Sequence, residues 1–209
     1  METPQTIAEI RLIGGHLALD LVNTRDTAPS GVPGFDRLLD YGHLLAWAVR
    51  AGVLSDEAAE DAARRAAERP DEAAAALSRA RALRADLFEV FEAIALDQSP
   101  PAHKLESLRH FHAEAAAHGS LVRRGDAFSW DWSVEEELVS VLWPVGHAAM
   151  ELLTSDDLLR VKRCGRCSWL FLDGTKNRSR RWCSMEGCGT QEKSQRFVER
   201  RRAGRRGAR

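Results

Sequence analysis

Apolar residues recur at three- and four-residue intervals across most of the stretch from residue 40 to residue 155, which predicts a succession of helices. Asp40 is placed to cap YGHLLAWAVRAG, with Leu44, Leu45, Ala48 and Val49 on one side and Gly52 as the stop. Ser55, followed by Asp56 and Glu57, opens an alanine-rich helix that ends at Pro70, its acids at the positive end of the helix dipole. In DEAAAALSRARALRADLFEVFEAIA, Leu77, Leu83, Leu87, Val90, Phe91 and Ile94 keep near-helical spacing, and Pro100-Pro101 is expected to close the element. HKLESLRHFHAEAAAHG reads as a shorter helix with a glycine stop. The period then changes in LVRRGDAFSWDW, where Gly125-Asp126 can turn between two short runs, so a β-hairpin is expected. Ser133 and Glu136 form a capping-box pattern ahead of EEELVSVLWPVGHAAMELL, which Pro144 should kink or split.

Beyond about residue 157 the runs shorten. SWLFLD alternates and reads as a strand, Gly174 to Asn177 as a turn, and Arg180-Arg181-Trp182-Cys183 as a return strand. Thr190 is placed to cap a final helix through QEKSQRFVERRRA, with Phe197 as the anchor packing that helix inward. The expected fold is therefore mainly α. A multihelical domain spans residues 1–157, and a small treble-clef-like module of β-hairpin and helix spans 158–209.

Charge divides the chain at the same place. From Arg160 to Arg209 there are sixteen Lys or Arg against Asp173, Glu186, Glu192 and Glu199, whereas the first 159 residues hold fourteen bases and twenty-seven acids. The net charge of −1 conceals this split, and a basic segment of this density points to a polyanionic partner. No apolar run approaches the roughly 20 residues needed to span a bilayer. The start METPQTIAEIRLIGG places acids ahead of its first base, so a cytoplasmic protein without membrane contact is expected. No Ser-His-Asp arrangement, glycine-rich phosphate loop or paired-carboxylate signature stands out, and an enzyme is not expected. His110 and His112 would face apart on a helix and make no ligand pair.

The four cysteines all lie in CGRCSWLFLDGTKNRSRRWCSMEGCGTQEK, spaced Cys164-x2-Cys167, then fifteen residues, then Cys183-x4-Cys188. Two close pairs with a mid-length connector suit a tetrahedral zinc site, and Gly165 relieves crowding in the first knuckle. Four sulfurs close the coordination shell and no histidine lies in the segment, so the expected cofactor is one structural Zn²⁺. A thiol redox switch is the alternative that this spacing leaves open.

These residues also resemble a known family. Cysteine spacing, FLD, NRSRRWCSM and the last Cys-Gly together resemble the CGNR zinc finger, and GGHLALDLVNT resembles the start of the ABATE domain usually joined to it. LLAWAVRAGVL and WPVGHAAMELL fit the pattern of that domain. The resemblance implies a bacterial transcription regulator with a stress role. One departure is visible: the name-giving Cys-Gly-Asn-Arg is here Cys188-Gly189-Thr190-Gln191, which loses a cation. Restoring it by Gln191→Arg is expected to strengthen DNA binding.

Binding to DNA needs cations gathered on one surface, because phosphate contacts and counterion release supply most of the affinity. The turn and return strand offer Lys176, Arg178, Arg180 and Arg181, with Asn177 as a candidate reader of a base edge. The final helix offers Lys193, Arg196 and Arg200 on one face. Trp169, Phe171 and Trp182 are assigned to the module's core in preference to base stacking. Asp20, Asn23 and Arg25 end the apolar LALDLV run; they are candidates for lining an effector pocket, against the plainer reading of caps and local hydrogen bonds. The expected function is zinc-dependent binding of DNA by a transcription regulator. Its helical domain would sense a small-molecule effector or mediate assembly, as a homodimer for instance. The alternative is an RNA- or protein-binding adaptor using the same basic finger.

Overall fold

The computed structural model describes residues 7–26, 35–132 and 137–206, with side chains as far as Arg200. α1 (Leu17–Val22) forms over the apolar LALDLV run, where no helix is expected from the sequence, and the expected helices follow as α2 (Tyr41–Arg50), α3 (Asp56–Glu68), α4 (Pro70–Ala95), α5 (Ala102–His118) and α6 (Trp143–Leu153). Asp40 accepts from the His43 amide at the start of α2, and Ser55 accepts from the Ala58 amide at the start of α3. Pro70 occupies the first turn of α4, where its missing N–H costs nothing. No described helix is long and apolar enough to cross a membrane.

α4 is the axis of the fold. Ala73, Ala76, Leu77, Ala80, Leu83, Leu87, Val90 and Phe91 form a buried stripe along it, against which α1, α2, α5 and a 3₁₀ segment at Leu138–Leu142 pack. The helix ends at Ala95, before the expected proline stop. Asp97, at φ 56°, takes the left-handed position, and the Gln98 and Asp97 amides bond back to the Ala93 and Ile94 carbonyls. Pro144 lies in the first turn of α6, so the expected long helix is split into the 3₁₀ segment and α6. The capping box at Ser133 and Glu136 lies outside the described residues.

The hairpin is present as β1 (Ser120–Arg124) and β2 (Ala127–Asp131), joined by Gly125-Asp126 with Gly125 at φ 63°. The second hairpin differs from the expected one. β3 (Val161–Arg163) pairs antiparallel with β4 (Leu170–Leu172), so the Cys164–Cys167 knuckle is itself the hairpin's turn. Residues Arg180 to Cys183 form no strand. Arg178 sits at φ 48° and the Arg180 amide bonds the Asp173 carboxylate, which curls the chain over that side chain and away from the edge of β4.

That edge is occupied by the helical domain. Asn23, 1% exposed, donates from its carboxamide to the Leu170 carbonyl at 2.8 Å and accepts from the Leu170 amide at 3.0 Å. The Leu172 amide continues the ladder onto the Gly14 carbonyl at 2.7 Å. A side-chain amide and a stretch of coil thus stand in for a third strand. Val161 and Leu170 belong to the same apolar core as α1 and α4. The two parts of the chain therefore share one interior.

Truncating the chain after Asp157, where the expected helical domain ends, would uncover that interior. Loss of the buried Val161 and Leu170 alone should cost about 4 kcal/mol. Asn23→Ala should cost about 2 kcal/mol, because it orphans a buried donor and acceptor on Leu170. Urea unfolding of the variant and of the full chain measures this difference; unchanged midpoints would show that the joint carries no load.

Candidate metal centre and nucleic-acid interface

The knuckle brings Cys164 and Cys167 together, and the second pair arrives from an unexpected element. Ser184 caps a single π turn, Met185–Gly189, by accepting from the Gly187 amide, and this turn runs directly into α7 (Thr190–Arg206). Thr190 is thus inside the helix, where its hydroxyl donates to the Met185 carbonyl, instead of capping it. Cys188 sits within the π turn and Cys183 just before its cap. The four Sγ atoms all lie within 4.8 Å of one another, with Cys167–Cys183 and Cys183–Cys188 each at 3.6 Å. A tetrahedron with Zn–S bonds of about 2.3 Å has edges of about 3.8 Å, so the cluster fits one zinc ion and is far too open for disulfides.

The surroundings favour metal over free thiols. Hydrogen bonds from Cys167, Cys183 and Cys188 push Cys164 below its ordinary pKa, while the same contacts and burial push Cys183 up. Four thiolates within 4.8 Å of one another repel, and a shared cation would offset that repulsion. The Trp169 and Cys183 amides are directed at the Cys167 and Cys164 sulfurs, as a knuckle requires. The Trp182 indole is clasped between the two ligand pairs. A Cβ on Gly165 would lie 2.8 Å from Trp182 Cζ3, and one on Gly189 would lie 3.1 Å from Trp182 Cδ1.

Asp173, fully buried, organises the connector. It accepts from the Thr175 amide (3.0 Å), the Thr175 hydroxyl (2.6 Å) and the Arg180 amide (2.9 Å), and pairs with Lys162 at 3.0 Å. Burial opposes its charge, but these donors prevail and hold its pKa well below the usual carboxylate range. The Asp-Gly-Thr triplet was the available signal for this turn.

The candidate DNA-contacting residues separate into two groups. Lys176, Asn177, Arg178, Arg181, Lys193 and Arg200 are exposed, and the five cations among them make no ion pair within the described residues. Arg180 is committed to the fold: it donates to the Trp182 and Cys183 carbonyls and lies 4.4 Å above the Phe171 ring. Arg196 pairs with Glu192 at 2.8 Å. Gln191 accepts from Arg166, which also reaches Gln195, both at 3.0 Å. A second guanidinium at position 191 would therefore face Arg166. Phe197, expected as an anchor, is 61% exposed, because α7 packs chiefly on the π turn at its own root. Phe171 is fully buried, while Trp169 and Trp182 are half-buried; the Trp169 indole donates to Asp26 at 2.7 Å.

Asp20, Asn23 and Arg25 are drawn into local and interdomain bonds. Asp20 accepts from the Gly14 amide at 2.8 Å, with burial raising its pKa to about 6. Asn23 holds β4, and Arg25 makes a backbone bridge to Asp36. From the sequence Asn23 only ends the apolar LALDLV run; nothing there marks a partner 147 residues away.

Purified protein should carry one zinc per chain, and Cys183→Ser should release it, as read by elemental analysis and thiol titration. Four reactive thiols in folded, metal-free protein would overturn the assignment. Asp173→Asn should weaken the finger by about 2 kcal/mol at neutral pH. Because the folded pKa is depressed, the wild-type advantage is present above the unfolded pKa and lost as pH falls through the folded one. Denaturation of both proteins between neutral and acid pH, with zinc retention followed in parallel, checks this.

Two family models match the chain in succession. Residues 15–156 match ABATE, described as "putative stress-induced transcription regulator", and residues 160–201 match the CGNR zinc finger. A search of curated proteins returned no match to the chain. The first match spans the helical core that carries Asn23, and the second contains all four cysteines with the helix that follows them. The chain belongs to the ABATE family and carries a CGNR zinc finger after that domain.

Proposed function

We propose that this protein is a transcription regulator that binds duplex DNA through its zinc finger, with Lys176, Arg178 and Arg181 on the connector and Lys193 and Arg200 on α7 meeting phosphates. The observation that carries the reading is this set of exposed cations without acid partners, in a module with a surplus of twelve positive charges. Arg180 and Arg196 are left out, since their donors already serve the fold. The acidic helical domain repels phosphate and would carry the regulatory input, an effector or assembly in response to stress in the cytoplasm. Its influence would reach the finger through Asn23 and Gly14, which grip β4.

Salt titrations of the zinc-loaded full chain on duplex DNA test the reading. Lys193→Ala and Arg181→Ala should each lower affinity for all sequences alike and reduce the slope of log affinity against log salt by about 0.9. Arg180→Ala should instead loosen the metal centre. Gln191→Arg, expected from the family pattern to strengthen binding, should leave affinity within about twofold and cost about 1 kcal/mol of finger stability, because it breaks the Arg166 bond. Unchanged slopes, together with preference for single-stranded RNA or an acidic protein, would replace the regulator with the adaptor.

A further inference from the structure

The β1–β2 hairpin has no established role, and its surface differs from the domain that bears it. It forms a two-stranded sheet, so each strand keeps one outer edge, and no described backbone group bonds to either edge. Leu121 and Phe128 are 60% and 68% exposed. They share one face with Arg123 and Trp130, because Leu121 is paired with Trp130 and Arg123 with Phe128. The root is firm: Trp130 stacks on Trp132 and tilts against His147, the Trp132 indole bonds the Ala115 carbonyl at 2.7 Å, and a Cβ on Gly119 would lie 2.7 Å from both indoles. What projects beyond that root is a ribbon with two exposed apolar side chains and, among the described residues, no backbone partner on either outer edge.

We infer that the outer edge of β2 pairs with the same edge of a second copy of this chain, making a four-stranded antiparallel sheet about a two-fold axis at Ser129.

Three features select this occupant and this edge. The first is charge. Residues 1–159 carry thirteen more acids than bases, so two copies repel over most of this domain, but residues 120–131 hold two arginines and two aspartates and are neutral. A neutral ribbon also offers nothing to a strongly charged partner. The second is the contrast between the edges. A two-fold on β1 at Val122 would set Leu121 opposite Arg123, whereas the residues of β2 with outward backbone groups are Phe128 and Trp130; Arg123 and Arg124 bend back on the Gly125 carbonyl and the Ser129 hydroxyl.

The third is register. With a two-residue loop, Arg124 and Ala127 exchange hydrogen bonds, as do Val122 with Ser129, which turns the amides and carbonyls of Phe128 and Trp130 outward. Centring the two-fold on Ser129 sets Phe128 opposite the second copy's Trp130, so all four outward groups on each strand find partners. Each Phe128 is then flanked across strands by an indole, and an apolar stripe runs from Leu121 through Trp130 onto the other copy. The arrangement is isologous and closes at two.

The test uses the zinc-loaded full chain. Light scattering should give twice the chain mass at tens of micromolar, and Phe128→Glu should give the monomer mass with unchanged helical circular dichroism. Ser129→Cys should form an intermolecular disulfide on mild oxidation, since paired residues on a two-fold axis sit within disulfide reach. Val122→Cys, on the opposite edge, should not. A monomeric wild type, a dimer indifferent to Phe128→Glu, or cross-linking through residue 122 and not 129 would each overturn the proposal. None of these readouts involves DNA, so the proposal stands or falls apart from the finger's function.

Discussion

The structure turns on one buried carboxamide. Asn23 gives Leu170 both the acceptor and the donor that a neighbouring strand would give, and it does so from the end of α1, deep in the helical core. A strand edge inside a protein must be satisfied, since each orphaned group costs on the order of 1–3 kcal/mol. Here the two-stranded sheet of the finger is too small to satisfy its own edge. The helical domain completes it, and both parts then pack over Val161, Leu170 and Trp169. The GGHLALDLVNT segment is the hardware of this joint. Gly14 supplies the next acceptor, Asp20 fixes the Gly14 amide, and the Gly15 backbone at φ 70° passes close to Leu172.

Seen this way, metal and joint hold the same strand from opposite ends. The knuckle fixes β4 to β3 through two ligands, the carboxylate of Asp173 fastens the chain leaving β4, and Asn23 fastens its outer edge. A finger of this size has little core of its own, with Phe171, Cys164 and Cys183 as its buried members. Its rigidity is therefore borrowed, partly from the ion it can hold and partly from α1 and α4. The packing of α1 and the position of β4 are therefore mechanically linked.

Much of this was legible in the sequence. Periodicity and caps located α2, α3 and α4, because Asp40 and Ser55 cap through their own side chains within four residues. Cysteine spacing located the metal centre for the same reason: each knuckle is a local turn. What failed was non-local. The return strand at Arg180–Cys183 was read from alternation, but β4 had already been paired by β3 and Asn23. Phe197 looked like an anchor by type, and the helix bearing it stands away from the core. Arg180 is a candidate phosphate contact by charge, and nothing in the sequence marks its bonds to two carbonyls or its place over a ring. Residue type narrowed the choices; only packing decided among them.

The π turn at Met185–Gly189 has a geometric consequence for α7. An α-helix advances about 100° per residue, so widening one turn to take in an additional residue rotates everything beyond it by roughly that angle. Cys188 lies within this widened turn, held toward three sulfurs that come from the finger's body. The azimuth at which Lys193 and Arg200 leave the helix is thus fixed at its root by the coordination sphere. An ion held by these four sulfurs would bear on which way the helix faces as well as on whether it is held.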